Sequence, residues 1–319
     1  MKYIDLHCDT LSKAYSHKVE DIGNWPIAMA DIERLHKADC IAQFFAIYMP
    51  DERNEDFNDD EYILMLVELL KCNIKRYEDK IAFADKYEAL VENDRKQKIS
   101  AYLTIEDGRS VNGSFDKIKE YYDLGVRLIT LTWNSPNCFG YPNSFDKNIM
   151  EKGLTSFGKE AVSFMNEIGI LVDVSHLSDG GFYDVCEVSK KPFVASHSNC
   201  RELSPHPRNL TDDMIRLLAS KGGVIGVNIV PDFLSSDIRC RESFIDDVVR
   251  HVVHMINKGG IECVGIGTDF DGTGGNIELN EPAKVQILFD RLKKMGVSDD
   301  ALEKIAYRNA ARVIKECIG

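Results

Sequence analysis

Six side chains of the sequence could hold metal ions, because each lies at or just beyond the end of a short apolar run typical of a β-strand. They are three imidazoles and three carboxylates: His7, Asp9, Glu106, His176, His197 and Asp269. Nitrogen and oxygen donors without clustered thiolates suit Zn²⁺, or Mn²⁺ and Co²⁺ by substitution. Three ionised carboxylates and one shared hydroxide would balance the charge of two divalent cations. The sequence therefore predicts a site for two divalent metal ions, with Zn²⁺ as the first choice.

The spacing within this set indicates how two ions could be shared. Residues two apart on a strand point to the same face, so His7 and Asp9 can bind one ion together. Glu106 is the best bridging candidate, because a charged group at a buried strand end needs a partner and no lysine ends a predicted strand. The alternative for Glu106 is a turn with a local ion pair, in Glu106-Asp107-Gly108-Arg109.

The other candidates also have structural alternatives. Taken singly, His176 and His197 fit hydrogen-bonded core histidines as well as ligands, and only their joint placement at strand ends favours binding. Asp269 is interpreted as a general base, with a third-ion ligand and a helix N-cap as alternatives. Asp271 is predicted to be a cap or turn residue. Five further histidines are assigned no catalysis: His17, His36, His206, His251 and His254.

Positioning these side chains requires a regular scaffold, and the apolar pattern predicts eight strands that alternate with helices. The strand runs are 3–9, 40–48, 100–105, 126–133, 170–175, 192–196, 223–230 and 263–269. Runs rich in Val, Ile and Leu with little polar alternation favour a parallel sheet covered by helices. The sequence predicts an α/β fold, a single-domain (β/α)8 TIM-type barrel over residues 1–319, with a doubly wound open sheet as the alternative. Catalytic groups of such barrels lie at the carboxyl ends of the strands, where the six candidates occur.

Counting back in steps of two from the candidate ligands predicts which side chains line the barrel. The predicted interior residues are Thr104 and Tyr102, Val174 and Val172, Ala195 and Phe193, and Gly267 and Gly265. The candidate ligands would then lie at one end of a mostly apolar barrel interior.

Composition argues against several classes of function. The net charge of −13 and the lack of a Lys/Arg stripe speak against nucleic-acid binding. The sequence shows neither a signal-peptide pattern nor an apolar segment of membrane-spanning length, so a cytoplasmic protein with no membrane partner is expected. Nine cysteines are scattered singly without a C-x-x-C pair, which favours reduced thiols. The acidic stretch from 51 to 61 is interpreted as a solvated loop or helix start.

The motifs around these residues resemble, in family order and over nearly the whole chain, those of the renal-type (membrane) dipeptidases. These are zinc peptidases that share the amidohydrolase barrel. The shared segments are Asp5-Leu6-His7-Cys8-Asp9, Ile105-Glu106-Asp107-Gly108, Asp173-Val174-Ser175-His176, Ser196-His197-Ser198, Pro207-Arg208-Asn209-Leu210 and Gly267-Thr268-Asp269-Phe270-Asp271-Gly272. The resemblance implies one zinc on His7 and Asp9 and a second on His176 and His197. It also implies that Glu106 bridges the two ions and that Asp269 handles the proton.

The resemblance gives Arg208 a role that its own context leaves undecided between a substrate ligand and a surface charge. By likeness to the family, Arg208 would bind the free C-terminal carboxylate of a dipeptide. Animal members carry a histidine at the end of the fourth strand, where this chain has Trp133 and Asn134. Polarisation of the scissile carbonyl would then pass to Asn134 or to zinc alone, and both residues are predicted to face the substrate. By the same comparison, the protein is expected to lack the secretion signal and lipid anchor of animal members and to form a homodimer, which is common among relatives.

The predicted activity is hydrolysis of dipeptides, with a hydroxide that bridges two zinc ions as the nucleophile. Asp269 would take its proton and protonate the departing amine. Two alternatives stay open at this point. One is a related amidohydrolase that acts on N-acyl amino acids or cyclic amides, and the other is a non-catalytic barrel that binds metal or a peptide.

Overall fold

All eight predicted strands are present in the computed structural model, which describes residues 1–50, 58–237 and 240–319. In chain order the strands are β1 (Tyr3–Cys8), β2 (Cys40–Tyr48), β3 (Ile81–Phe83), β4 (Ile99–Glu106), β5 (Val126–Thr130), β6 (Leu171–Asp173), β7 (Val194–Ser198), β8 (Val224–Val227), β9 (Glu242–Ser243), β10 (Val264–Ile266) and β11 (Asn276–Ile277). The helices are α1 (Thr10–Ser16), α2 (Ile32–Lys37), α3 (Asp59–Arg76), α4 (Tyr87–Arg95), α5 (Phe115–Leu124), α6 (Lys147–Met150), α7 (Ser156–Ile168), α8 (Asp179–Val188), α9 (Asp212–Ser220), α10 (Ile245–Gly259), α11 (Val285–Lys294), α12 (Asp299–Glu303) and α13 (Asn309–Cys317).

Eight parallel strands close into a barrel in the order β1-β2-β4-β5-β6-β7-β8-β10. The last strand pairs again with the first, through Asp5 and Ile266, and this closure excludes the doubly wound open sheet. The predicted (β/α)8 barrel is therefore confirmed. The short strand β3 extends the sheet beside the beginning of β4, and β9 and β11 form a separate small parallel pair.

The barrel interior and the layer between strands and helices are two separate apolar clusters. The interior contains alternate strand residues such as Leu6, Phe44 and Tyr102, and α13 packs against the same cluster. The cluster also contains residues at the first or second position of their strands, namely Ile4, Ile41, Leu171, Val194 and Val224, so α13 covers the amino-terminal end of the barrel. The carboxyl ends of the strands are left as the end at which a site can form.

The predicted facing of strand residues is correct on some strands and wrong on β6 and β7. Tyr102 belongs to the interior cluster, and a Cβ at Gly265 would point towards Leu6 and Val224. On β6, however, Leu171 is interior, whereas Val172 and the following Val174 belong to the outer layer. On β7, Val194 is interior, whereas Phe193 and Ala195 belong to the outer layer. The pairing of β7 with β8 shifts register between Ala195 and Ser198, and such a bulge breaks the count by twos.

Three predicted strand ends lie beyond the observed strands. Trp133 follows the end of β5 at Thr130 by three residues, and Asp269 follows the end of β10 at Ile266 by three. His176 likewise follows β6, which ends at Asp173. These side chains therefore belong to loops at the carboxyl end of the barrel, where the backbone no longer has the regular conformation of a strand.

The acidic stretch is partly described. Residues 51–57 lie outside the described residues, whereas Asp59 begins α3 after an N-cap at Asn58. Asn58 and Glu61 form a capping box, which confirms the helix start. In the described ranges, every helix is too short or too polar to span a lipid bilayer.

Candidate active site

Glu106 lies at the centre of the predicted cluster, with each oxygen directed to a different group of ligands. Its Oε2 is 3.5 Å from His7 Nε2. Its Oε1 is 3.0 Å from His176 Nε2 and 3.4 Å from His197 Nε2. The last residue of β4 therefore reaches both groups of histidines with a single carboxylate, which is the geometry of a bridging ligand.

A second group of ligands surrounds His7 on the other side. Its Nε2 is 3.3 Å from Asp9 Oδ2 and 4.0 Å from Asp269 Oδ1. The chain passes close to both carboxylates at Gly272, where an added Cβ would lie 2.0 Å from Asp9 Oδ2 and 2.3 Å from Asp269 Oδ1. A glycine is thus required at residue 272 for the two carboxylates to converge.

The donor atoms are spaced as cation ligands, and two of them lack a hydrogen-bond partner in the part of the chain that the structure describes. Atoms that bind one tetrahedral Zn²⁺ at 2.0–2.2 Å lie roughly 3.3 Å from each other. His176 Nε2 and His197 Nε2 are 3.1 Å apart, close to that separation. His7 Nε2 and Asp9 Oδ1 are buried without a hydrogen-bond partner among the described residues. Such orphaned polar atoms are costly unless a cation binds them, so the residues fit a divalent metal centre.

The electrostatics of the cluster also favour cations. Burial acts to lower the pKa of His7, yet Glu106 and Asp9 raise it well above its ordinary value. The pKa of Asp9 is raised well above normal by its burial and, despite the opposing effect of His7, by the nearby charge of Glu106. Burial and the neighbouring charge of His7 hold the pKa of His197 well below normal. The carboxylates therefore compete for positive charge, which bound cations supply.

A buried hydrogen-bond chain orients His197. Its Nδ1 is 2.8 Å from Ser196 Oγ, and that hydroxyl donates to Asp173 Oδ2 at 2.6 Å. Asp173 also accepts from Thr130 Oγ1 at 2.7 Å. With Nδ1 engaged in this way, the Nε2 of His197 is left to face Glu106 and a cation, an arrangement common around metal-binding histidines.

His176 and Asp269 both adopt left-handed backbone conformations, with φ of 67° and 64°. Non-glycine residues rarely adopt this region and need local support. The carbonyl of His176 accepts from the backbone N–H of Asn143 at 2.7 Å and from Thr132 Oγ1 at 3.3 Å. Asn228 donates to Asp269 Oδ2 at 3.0 Å, which directs Oδ1 towards His7. The left-handed turns thus aim both side chains into the site from loops.

Arg208 lies beside the cluster with its guanidinium held in place. It is 4% exposed and donates to Ser198 Oγ at 2.7 Å and to the carbonyl of His197 at 2.8 Å. Its Nε has no partner in the described part of the chain. Burial lowers the pKa of Arg208 to about 10, which still leaves it charged at neutral pH. The remaining N–H groups can bind an anionic group beside the metal ligands.

The cluster opens into a cavity of about 730 Å³ that also contains Arg208, Trp133 and Asn134 in its wall. Trp133 packs edge-on against Tyr48, with ring centres 4.9 Å apart, and lies 6.2 Å from the ring of His176. Sequence reasoning missed much of the lining, and above all its aromatic side chains, because these carry no motif. The missed rings are Tyr15, Tyr48, Tyr62, His206 and Phe233.

Asp271, predicted as a cap or turn residue, connects distant parts of the chain. It accepts from Thr10 Oγ1 at 2.7 Å, from Lys13 Nζ at 2.9 Å and from the backbone N–H of Met29 at 2.7 Å. The loop after β10 is thereby attached to α1 and to the segment before α2. The carboxylate of Asp271 therefore has a structural role, although the residue borders the cavity.

Gly272→Ala is expected to lower turnover about a hundredfold, because moving a catalytic carboxylate by about 1 Å costs that much. The new methyl group would displace Asp9 or Asp269, as the distances above show. Gly274→Ala is the matched control in the same loop, since a Cβ there meets nothing within 4 Å. Steady-state kinetics and metal content of both variants test this expectation, and equal activity of the two would contradict it.

Comparison with known proteins agrees with this geometry. The model of the family described as membrane dipeptidase (peptidase family M19) matches residues 1–318. An uncharacterized dipeptidase of Schizosaccharomyces pombe is 30% identical over 334 residues, which is 99% of this chain and 80% of the relative. A dipeptidase AC crystal structure, from a metallopeptidase of family M19, superposes with a TM-score of 0.91 at 24% identity over 100% of this chain and 99% of the other. A Rhodobacter sphaeroides metallopeptidase, solved with a phosphinate mimic of the dipeptide L-Ala-D-Ala, has a TM-score of 0.90 at 22% identity over 99% of each chain. The two structural likenesses show the fold.

Proposed function

This chain belongs to peptidase family M19, the membrane dipeptidases, and we propose that it hydrolyses dipeptides with two Zn²⁺ ions bound at the carboxyl end of its barrel. Membership of the family makes it a metallopeptidase that acts on dipeptides, as the sequence motifs predict. The observation that carries the proposal is Glu106, whose two oxygens face different histidines. One carboxylate placed in this way can be shared by two cations.

We assign the ligands from these distances. His7 and Asp9 would hold one cation and His176 and His197 the other, with Glu106 common to both. Bound divalent cations lower the pKa of a coordinated water to about 7 and polarise a carbonyl oxygen. Nitrogen and carboxylate donors without thiolates favour Zn²⁺ at both positions.

The protein side chains would position the substrate. The buried guanidinium of Arg208 binds the C-terminal carboxylate, and this sets the distance from that carboxylate to the scissile carbonyl beside Glu106. A third residue on the substrate would move the carboxylate out of reach, so two-residue peptides are selected. The Trp133 ring lies 6.2 Å from that of His176 and cannot donate a proton as an imidazolium would, and Asn134 lines the cavity as an amide donor.

Asp269 would move the proton during the reaction. Its Oδ2 is held by Asn228, while Oδ1 lies at the edge of the His7 group, 4.0 Å from Nε2. A carboxylate in this position accepts the proton of an attacking water and delivers it to the departing amine. The same position is compatible with a ligand contact, because Asp269 groups with His7 and Asp9 as a possible metal-binding triad.

The experiment that tests the function combines metal analysis with a substrate panel. We expect about two Zn²⁺ per chain in purified protein, loss of activity with a chelator and recovery with added Zn²⁺. Dipeptides, N-acyl amino acids and hydantoins are offered in parallel. Faster turnover of acyl amino acids or hydantoins would contradict the dipeptidase assignment, and no turnover with bound metal would indicate a binding protein.

Arg208→Met is expected to lower kcat/KM for dipeptides about 10- to 100-fold, since hydrogen bonds to a charged group contribute ~1.5–3 kcal/mol. Amidation of the substrate's C-terminus should cost the native enzyme a similar factor and should cost the variant little. Arg241→Met is the control, because that exposed guanidinium pairs with Asp232 at 2.8 Å. If amidation of the substrate lowered kcat/KM equally in the native enzyme and in Arg208→Met, Arg208 would not be the group that binds the C-terminal carboxylate.

We also propose, from the family likeness, that residues 1–319 form one domain and that the protein assembles as a homodimer. Light scattering of the purified protein measures the assembly directly.

A further inference from the structure

We propose that the protein prefers dipeptides whose C-terminal residue has a large apolar side chain, selected by a wall formed by Phe233, His206 and Phe145. We call these three rings the aromatic wall. The inference rests on the proposed function, because it takes Arg208 as the group that binds the C-terminal carboxylate.

The aromatic wall begins next to Arg208. The guanidinium carbon lies 5.6 Å from the centre of the Phe233 ring, within the range of a cation–π contact. The hydrogen bonds that the guanidinium donates to Ser198 and to the His197 carbonyl restrict its movement. The Cα of a C-terminal residue is bonded to its carboxylate carbon, roughly 1.5 Å away. A side chain on that Cα would therefore start beside Phe233.

The other two rings continue the same surface outward. The rings of His206 and Phe233 are 4.8 Å apart between centres, and those of Phe145 and His206 are 5.0 Å apart. Phe233 and His206 line the cavity, whereas Phe145 is 76% exposed. An aromatic ring left this exposed gains contact area when a substrate side chain covers it. Three rings in series offer more apolar surface than a methyl group could cover.

His206 presents a neutral ring to this surface. Its Nδ1 accepts from the backbone N–H of Arg208 at 3.1 Å, which orients the imidazole. Burial, together with the charge of Arg208, lowers the pKa of His206 to about 4. At neutral pH the ring is therefore uncharged and contributes an aromatic face.

Two charged groups near the wall already have counter-ions. Asp232, next to Phe233, pairs with Arg241 at 2.8 Å. Arg201, in the segment that leads to His206, pairs with Asp179 at 2.7 Å. A charged C-terminal side chain would lose hydration against the rings and would have to compete with these ion pairs for a partner, whereas an apolar side chain has no such cost.

The test compares Ala-Phe and Ala-Leu with Ala-Gly and Ala-Asp, using both the L and the D form of each chiral second residue. The N-terminal alanine is constant, so differences report on the C-terminal side chain. We expect kcat/KM for the better stereoisomer of Ala-Phe and Ala-Leu to exceed that of Ala-Gly and Ala-Asp at least about tenfold.

Two variants assign the preference to the wall. Phe145→Ala and His206→Ala are each expected to lower the ratio of kcat/KM for Ala-Phe over Ala-Gly at least about threefold. Phe244→Ala removes a 47% exposed phenylalanine at the start of α10 and should leave the ratio unchanged. Circular dichroism of all three variants establishes that they are folded.

The outcomes separate this inference from the proposed function. If none of the dipeptides is hydrolysed by the metal-loaded protein, the proposed function is wrong. If all are hydrolysed with similar kcat/KM, or if the ratio survives in both wall variants, the function stands and the aromatic wall is overturned.

Discussion

Asp269→Asn is expected to lower kcat about a thousandfold, within the range that a positioned general acid–base contributes. An amide has nearly the same shape as the carboxylate and can still accept the hydrogen bond from Asn228. It cannot carry the proton from water to the departing amine. KM should change little because the contacts of Arg208 are untouched, and metal content should stay near that of the native protein. Steady-state kinetics with metal analysis measure both.

Asp271→Asn is the matched control for this experiment, two residues along the same loop. Its carboxylate is committed to Thr10, Lys13 and the backbone of Met29. We expect its main effect to be a loss of stability of ~1.5–3 kcal/mol, the value of hydrogen bonds to a charged group. If Asp269→Asn retained native kcat, the proton would have to travel by another group, and the assignment of Asp269 would be wrong.

Glu106→Gln is expected to lower activity by at least about a thousandfold, because cations in such sites contribute several kcal/mol to transition-state stabilisation. The neutral amide keeps the shape of the side chain, but it offers one oxygen donor in place of two. His7 and the pair His176 and His197 then no longer share an anionic ligand. We expect fewer than two metal ions per chain, measured by elemental analysis of the dialysed protein.

Asp5→Asn controls for loss of a buried carboxylate on a barrel strand. Asp5 accepts from Thr268 Oγ1 at 2.6 Å and from the Thr268 N–H at 2.9 Å. It lies on the strand that carries His7 but is occupied by these donors. This variant should lose stability while it keeps its metal ions. A Glu106→Gln protein with two tightly bound ions and native turnover would show that the bridge is not needed.

The barrel could be predicted from the sequence because parallel, fully buried strands have a distinct composition. The run Cys40–Tyr48, in which Gln43 is the one amide or charged side chain, is almost continuously apolar, and the strand runs are separated by segments of helical spacing. Given a barrel, the convergence of Glu106 with the distant residues His7 and His176 followed from the rule that strand carboxyl ends meet. Side chains as far apart as His7 and Asp269, which are 262 residues apart along the chain, could be grouped in this way.

The details of the loops could not be predicted in the same way. The count by twos placed Phe193 and Ala195 on the wrong face, since the sequence has no signal for the register shift that precedes Ser198. His176 and Asp269 reach the site through left-handed backbone, which depends on tertiary partners such as Asn143 and Asn228. Local sequence does not contain those partners.

Supporting residues were missed for a related reason. Gly272 appears in the sequence only as the last residue of a shared motif, although its lack of a side chain makes room for Asp9 and Asp269. Ser196 was noticed only as a neighbour of His197, and its link to Asp173 is a contact across strands. Aromatic lining residues such as Phe233 carry no motif at all. The Gly directly after the Asp-x-Asp segment is the one sequence signal for this close approach of the backbone to two carboxylates.

Asp271 has a consequence for the order in which the molecule assembles. Its partners Thr10 and Lys13 are 261 and 258 residues away along the chain. Contacts of such high sequence separation form late in folding, because the chain must lose the conformational entropy of closing a long loop before such a contact can stabilise it. The pocket wall that Asp271 secures is therefore complete only once the first and last strands have met. Metal uptake by the nascent chain should lag behind helix formation, and bound ions then stabilise only the finished barrel by mass action.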